Sequence, residues 1–278
     1  MLDAPALAQP VAPPAFASAA PGLLLPALSL AKRELVRFLR QRHRIIGALA
    51  TPIVFWLLIG GGMGQSFRSG GPGGANYLQY FFPGTVLMIL LFTAIFSTIS
   101  IIEDRREGFL QSVLVAPVPR MAIVLGKVLG GSALAFGQGL LFLLFAPLVG
   151  VRPTAAGVAA ALLVMAVVSF ALTALGFCIA WRMSSTQGFH AIMNLFLMPM
   201  WFLSGALFPV ENASAPLRWV MRLNPLTYGL TGLRQSLYWG DAVGGNFALS
   251  LGVSVAFAAV MFLLASAVAG GRVSSDLQ

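Results

Sequence analysis

The sequence predicts an all-α, polytopic membrane protein with six transmembrane helices. Of its 278 residues, 58% are hydrophobic and 9% are charged, and the mean hydropathy is +0.89; soluble domains carry roughly 25% charged residues. Every charged residue lies outside six apolar windows, which are 45–67, 69–102, 128–151, 153–181, 183–210 and 242–271. Each window is long enough to cross the hydrocarbon core, which takes about 20 residues of helix. Because the apolar runs do not alternate as barrel strands do, helices are expected and a soluble globular protein is excluded.

The N-terminal part divides into a tail and an amphipathic helix. Residues 1–27 are rich in Ala and Pro and are expected to form a disordered cytoplasmic tail, since a cleaved signal peptide would need a basic n-region. Residues 28–44 place apolar side chains at i, i+3 and i+4 spacing, with Arg33, Glu34, Arg37 and Arg40 opposite. This pattern predicts an interfacial helix lying on the membrane surface. The alternative is a basic flank of the first span with no further role.

The transmembrane domain covers residues 45–271, with predicted spans over 45–64, 80–102, 128–150, 154–181, 191–208 and 247–271. Six spans place both termini on one side. The basic residues on the opposite side are Arg68, Arg152, Arg218, Arg222 and Arg234, and all other Lys and Arg lie with the termini. The positive-inside rule therefore predicts cytoplasmic termini, including the C-terminus over 272–278, in an inner or plasma membrane. The basic loops orient the chain in the lipid bilayer, so a nucleic-acid partner is not expected.

The connection over 103–127 is expected to protrude into the cytoplasm. It opens with the charged run 103–107, and Pro117 and Pro119 end any helix that follows. Phe109, Leu110, Val113 and Leu114 would share one side of a short helix. Such an element suits docking into a groove on a soluble partner, and the alternative is a solvated charged loop.

The same connection carries the pattern E-x-x-x-E-G-x-L-x-x-x-L-x-x-P-x-x-R, followed by G-K. It resembles the loop between spans two and three of type-2 ABC transporter permeases, although Phe109 stands where the family usually has Thr. Gly126 and Lys127 form the matching G-K pair. The resemblance implies a coupling helix bound by a separate ATPase, with coupling residues Glu103, Asp104, Arg105, Arg106, Glu107, Gly108, Phe109, Leu110, Leu114, Pro117 and Arg120.

Two further stretches carry the same resemblance. The S-G-x-x-F-P ending of span five is matched at 204–209, and N-P-L-T-Y…L-R is matched at 224–234, with Thr231 where many members have an acidic residue. Within the family, the sequence most resembles the drug-resistance and nodulation-factor exporter permeases. This resemblance implies a type V ABC exporter fold. The resemblance also implies that the external segment 211–246 is re-entrant and closes the outer mouth. The expected external gate is Ser204, Gly205, Phe208, Pro209, Asn224, Pro225, Tyr228 and Arg234.

ATP chemistry is expected in another subunit. The chain has no G-x-x-x-x-G-K-[ST] phosphate loop, because Gly126-Lys127 lacks both the upstream Gly and the following Ser or Thr. ATP and Mg would therefore be bound by the partner ATPase, and this chain is expected to hold no cofactor and no metal. Small residues in spans one and three make a second permease copy plausible, as a homodimer or with a related chain.

The predicted spans contain no Asp, Glu, Lys or Arg, which favours an externally powered exporter over an ion-coupled carrier. A hydrophobic or amphipathic substrate, such as a drug, lipid or glycolipid, is expected to leave along a path that includes Phe92, Phe96, Gln138 and Asn194. Two rival functions stay open. One is an ion-coupled secondary transporter. The other is an intramembrane enzyme using Ser204 and His190, although 14 residues separate them by roughly 20 Å along one helix.

Overall fold

The computed structural model describes residues 22–62, 77–238 and 245–271, and every regular element in these ranges is helical. Its α-helices are α1 Leu24–Arg40, α2 Arg42–Gly62, α3 Tyr77–Ser97, α4 Ile99–Arg106, α5 Phe109–Val115, α6 Arg120–Leu143, α7 Ala155–Ala180, α8 Thr186–Trp201, α9 Ala215–Leu223, α10 Pro225–Leu237 and α11 Phe247–Gly270. Short 3-10 turns cover Ala146–Val149 and Val210–Asn212, and a π-type turn, Phe202–Ala206, continues α8. Most of the predicted tail over 1–27 and the C-terminus over 272–278 lie outside the described residues.

The prediction of six spans is confirmed within the described ranges. The helices long and apolar enough to cross a membrane are Ile45–Gly62, Tyr77–Arg106, Arg120–Leu143, Ala155–Ala180, Thr186–Ala206 and Phe247–Gly270. The second and third extend beyond their predicted ends and include Asp104 and Lys127. The predicted spans over 80–102 and 128–150 hold no charged residue, and Asp104 and Lys127 lie in the parts of these helices that extend past them. They can contain the charges because the charges pair with one another.

The centre of the bundle is α3, which packs against α2, α6 and α7. Its side chains are buried from Phe81 to Leu91. Trp56 of α2 meets Phe82 of α3 and Phe142 of α6 edge to face, with centroids 5.9 and 5.5 Å away. In contrast, α2, α8 and α11 present much of their apolar surface outward.

The orientation of α1 differs from the sequence interpretation. The helix begins at Leu24, inside the predicted tail, and packs along α6 through Ala27, Ala31 and Glu34. Leu28 and Leu39 of the apolar stripe are instead exposed, at 58% and 62%. Arg33, Glu34 and Arg37 turn toward the bundle because their charges meet partners on other helices.

The predicted charged coupling helix is two separate elements. Residues Glu103–Arg106 are the last turn of α4, which continues the second span, so the charged run does not leave the bundle. Gly108, with φ +77°, then reverses the chain in a left-handed conformation that favours glycine. The seven-residue helix α5 follows without a charged side chain and ends before Pro117, as the prolines predict.

Candidate functional site

The acidic side chains of the charged run face α1. Arg37 donates from Nη1 to Asp104 at 2.7 Å and from Nη2 to Glu103 at 2.9 Å and Glu107 at 3.4 Å. Arg33 donates to both carboxylate oxygens of Asp104, at 3.0 and 2.9 Å. This two-pronged geometry is the strong form of an arginine–carboxylate pair. The end of the second span is thereby tied to the N-terminal helix.

The basic side chains of the same run face the opposite way. Arg105 donates to the carbonyl oxygens of Trp181 and Met183, and Arg106 donates from Nε to that of Ser184 at 3.1 Å. These carbonyls end α7 and begin the connection to α8, where the helix dipole favours positive charge. The run therefore joins α1 on one side to the α7–α8 connection on the other.

A buried ion cluster adjoins these contacts through Asp104. Lys127 of α6 donates from Nζ to Glu34 at 2.7 Å, to Ser100 Oγ at 3.2 Å and to Asp104. Exposure is 5% for Lys127, 6% for Glu34 and 0% for Asp104. Burial by itself would lower the pKa of the neighbouring Arg33, but its hydrogen bond to Asp104 and the carboxylate charges raise that pKa. Every charge in the cluster has a partner of opposite sign, which offsets the cost of burying it.

Helix α5 is attached to this cluster through Phe109. The Arg33 guanidinium lies 3.6 Å from the centroid of the Phe109 ring, a cation–π contact, and Leu110 is buried. The opposite face carries Gln111, Ser112 and Val115, all exposed, with Val115 at 87%. A helix anchored on one side and bare on the other fits an attachment point for a partner.

The remaining predicted coupling residues do not all join this arrangement. Leu114 is half-buried and packs on the core, and Pro117 is exposed. Arg120 lies apart from the ion cluster. It donates from Nη1 to the carbonyls of Ala269, Gly270 and Gly271, at 3.3, 3.1 and 3.2 Å, and so holds the end of α11.

At the other end of the bundle, the chain kinks at Gly205, whose φ is +88°. Its carbonyl oxygen accepts hydrogen bonds from Tyr80 Oη at 3.2 Å and from Arg234 Nη2 at 2.8 Å. The Arg234 guanidinium also lies 4.2 Å from the centroid of the Tyr80 ring. Ser204 donates to Trp201 of its own helix at 2.6 Å.

Other carbonyls freed by this kink are also satisfied from neighbouring helices. Asn224 donates from Nδ2 to the carbonyl of Met200 at 2.6 Å, and its Oδ1 caps α10 at the Leu226 amide. Thr227 donates to Leu203 at 3.4 Å and Tyr77 to Leu207 at 3.1 Å. A span can contain a broken helix only where its free backbone groups find such partners.

Four predicted gate residues lie beyond the kink rather than at it. Pro225 is the first residue of α10, where its missing amide hydrogen costs nothing. Tyr228 donates to the carbonyl of Arg222 at 3.0 Å, which folds α10 back on α9. Phe208 and Pro209 are half-buried just beyond the kink.

The comparisons with known proteins fit this arrangement of six spans. A model of the family described as "ABC-2 type transporter" matches residues 27–238, which is well over half of the chain. The chain belongs to the ABC-2 type transporter family. It is a membrane subunit, a permease, of an ABC transporter.

Several relatives of the permease resemble it along most of the chain. The putative transport permease ycf38 of Cyanophora paradoxa is 27% identical over 250 residues, covering 84% of this chain and 86% of the relative. Nodulation protein J of Sinorhizobium fredii is 29% identical over 222 residues, covering 79% and 83%. The probable multidrug ABC transporter permease YbhR of Escherichia coli is 26% identical over 168 residues, covering 60% and 45%.

The residues predicted for a substrate path in this permease divide into two places. Phe92 and Phe96 are half-buried on α3, and the Phe96 ring lies 5.1 Å from that of His190 on α8. Asn194, one turn further along α8, is exposed. Gln138 is only 4% exposed and accepts a hydrogen bond from Thr93. Gln138 therefore lies within the packing of α3 on α6, apart from the other three.

Sequence reasoning missed the roles of Glu34, Arg37 and Lys127. The helical pattern puts Glu34 and Arg37 opposite the apolar stripe, and the resemblance gives Lys127 only as part of the G-K pair. Two features of the sequence could have indicated the cluster. Glu34 is the one acidic residue of a basic helix, and Lys127 lies at the start of an apolar stretch with small residues on either side of it at Gly126 and Gly130.

Proposed function

We propose that this permease is the membrane-spanning half of an ATP-driven exporter of the type V architecture. A separate ATPase would bind ATP and Mg, and the permease would move a hydrophobic or amphipathic substrate out of the cytoplasm or the inner leaflet. The observation that carries the proposal is that α5 is held against the bundle on one side and exposed on the other. This short helix has one face fixed by Leu110 and Phe109 and the other face bare.

The bare face of α5 is the proposed ATPase attachment. Val115 is 87% exposed and lies beside exposed Gln111 and Ser112, on the side of the bundle that carries the N-terminal basic helix. That side is cytoplasmic by the positive-inside rule. An apolar residue between short polar ones suits insertion of a helix ridge into a groove on a soluble partner.

The kink at Gly205 and helices α9 and α10 form the proposed outer gate. Support comes from the hydrogen bonds that link the kink to α3 through Tyr80 and to α10 through Arg234 and Asn224. Breaks in membrane helices with irregular backbone occur where a pathway or moving part is built. The gate would open when the spans tilt, exchanging these bonds for others.

A second permease copy and the substrate class complete the proposal. His190 and Asn194 are exposed on α8 within an apolar span, where polar groups facing lipid would lack partners. A pathway between two copies would supply those partners, and its half-buried Phe92 and Phe96 would suit a drug-like or lipid-like substrate. The similarity to the probable multidrug ABC transporter permease YbhR supports a drug-like substrate.

Co-purification of an ABC ATPase with the tagged permease from its own cells tests the proposal. The variants Gln111→Arg and Val115→Asp disturb the bare face without touching the ion cluster. The matched control is Leu148→Asp, which changes an equally bare apolar residue, 79% exposed, in the turn between α6 and α7 at the other end of the bundle.

We expect the two α5 variants to lose most of the bound ATPase while the control retains it. Retention by both α5 variants would contradict attachment at α5. A folded permease with no associated ATPase, and transport that follows a proton gradient, would favour the secondary-transporter alternative.

A further inference from the structure

The buried ion cluster does not contact the proposed ATPase surface, yet it links every element around α5. Lys127 of α6 binds Glu34 of α1 and Asp104 of α4, and Arg33 of α1 binds Asp104 while covering Phe109 of α5. Three helices thus share one set of charges, and α5 joins them through the Phe109 ring. We propose that this cluster is a positioning device that makes α1, α4, α5 and the start of α6 move as one body when the ATPase moves α5.

The energetics of burial support this inference. Bringing ions out of water is costly, and a buried ion pair replaced by apolar residues often leaves a protein equally or more stable. The cluster is therefore poorly explained by stability alone. Separating any one helix, however, would leave a charge buried without its partner, so the helices resist moving apart. Such a penalty favours concerted movement over independent movement.

Close packing reinforces the connection between α1 and α6. A Cβ atom on Gly126 would lie 2.7 Å from the carbonyl oxygen of Ala27, and one on Gly130 would lie 2.8 Å from Glu34 Cβ. The two helices therefore touch backbone to backbone beside the cluster. This contact leaves no room for α1 to slide along α6 while the ions stay paired.

The first test uses the permease alone, reconstituted in phospholipid nanodiscs and followed by hydrogen–deuterium exchange. Lys127→Met removes the shared cation. Lys32→Met makes the same chemical change at an exposed position of α1 and is the matched control. We expect Lys127→Met to raise amide exchange in α1 and α5 by about tenfold or more, with α7 and α11 unchanged.

A paired variant keeps this test decisive if Lys127→Met loosens the whole protein. Glu34→Gln combined with Lys127→Met removes one buried charge of each sign and restores the balance of the cluster. We expect the pair to recover most of the protection in α1 and α5. Exchange that rises equally in α1, α5, α7 and α11 for both variants, or in none of them, would overturn the positioning role.

The second test rests on the proposed function and uses the complex with its ATPase. In the wild type, adding ATP to an ATPase that cannot hydrolyse it should change exchange in α5, α1 and α6 together. With Lys127→Met the ATPase should still co-purify, but the change should be confined to α5. A change that still reaches α1 and α6 would refute the inference. Failure of any complex to form would refute the proposed function instead, because the first test needs no ATPase.

Discussion

The ammonium group of Lys127 lies 2.7 Å from the carboxylate of Glu34, although 93 residues separate them in the chain. Both side chains are buried, and the Lys127 ammonium also donates to Asp104. The N-terminal helix is thus joined to the third span by a buried ion pair.

Replacing one member of this cluster should destabilise the permease. Asp104→Ala leaves Lys127 buried and takes from Arg33 its bidentate carboxylate partner. Removing one partner of a buried pair costs about 3–5 kcal/mol. We expect a clear fall in the melting temperature in detergent. Glu211→Ala, which truncates an exposed carboxylate at the other end of the bundle, should change it little. An equal fall in melting temperature for Asp104→Ala and Glu211→Ala would contradict a contribution of the cluster to stability.

The sequence predicted the elements whose causes are local. The six spans follow from apolar length, and the end of α5 and the break between α9 and α10 follow from Pro117 and Asn224-Pro225.

The sequence could not predict which charges meet. A helical pattern shows that Glu34 and Leu28 lie on opposite faces, but not whether the polar face meets water or another helix. That choice depends on Lys127 and Asp104, which are distant in the chain. The same applies to Arg120, which the resemblance includes among the coupling residues and which in the structure holds the end of α11.

The contact of α1 with α6 predicts unequal effects of glycine substitutions along one helix. Gly130→Ala would place a methyl group 2.8 Å from Glu34 Cβ, whereas Gly137→Ala on the same helix would meet nothing within 4 Å. Overpacking costs about 1–3 kcal/mol. We expect Gly130→Ala to lower thermal stability and to raise amide exchange in α1. Gly137→Ala should be neutral or slightly stabilising, since Ala favours helix. A neutral Gly130→Ala would mean that α1 is not docked as described.

Arg120 provides a test that separates structural from coupling residues. Arg120→Gln should remove hydrogen bonds to the last carbonyls of α11, and amide exchange near Gly270 should rise. Because Arg120 does not contact the bare face of α5, the amount of co-purified ATPase should stay within about twofold of wild type, a difference under 1 kcal/mol. A large loss of co-purified ATPase with unchanged amide exchange near Gly270 would instead indicate that Arg120 belongs to the proposed ATPase attachment.

The kink at Gly205 should tolerate no side chain. An L-residue in the left-handed region costs roughly 1–2 kcal/mol, and a Cβ at this position would also lie 3.1 Å from Val210. Gly205→Ala should therefore shift the kink and weaken the bonds from Tyr80 and Arg234 to the Gly205 carbonyl. We expect increased amide exchange in α9 and α10 and reduced export by the assembled transporter. Gly252→Ala on α11, where a Cβ meets nothing within 4 Å, is the matched control. Normal export and unchanged exchange in Gly205→Ala would exclude this carbonyl as a fixed point of the outer gate.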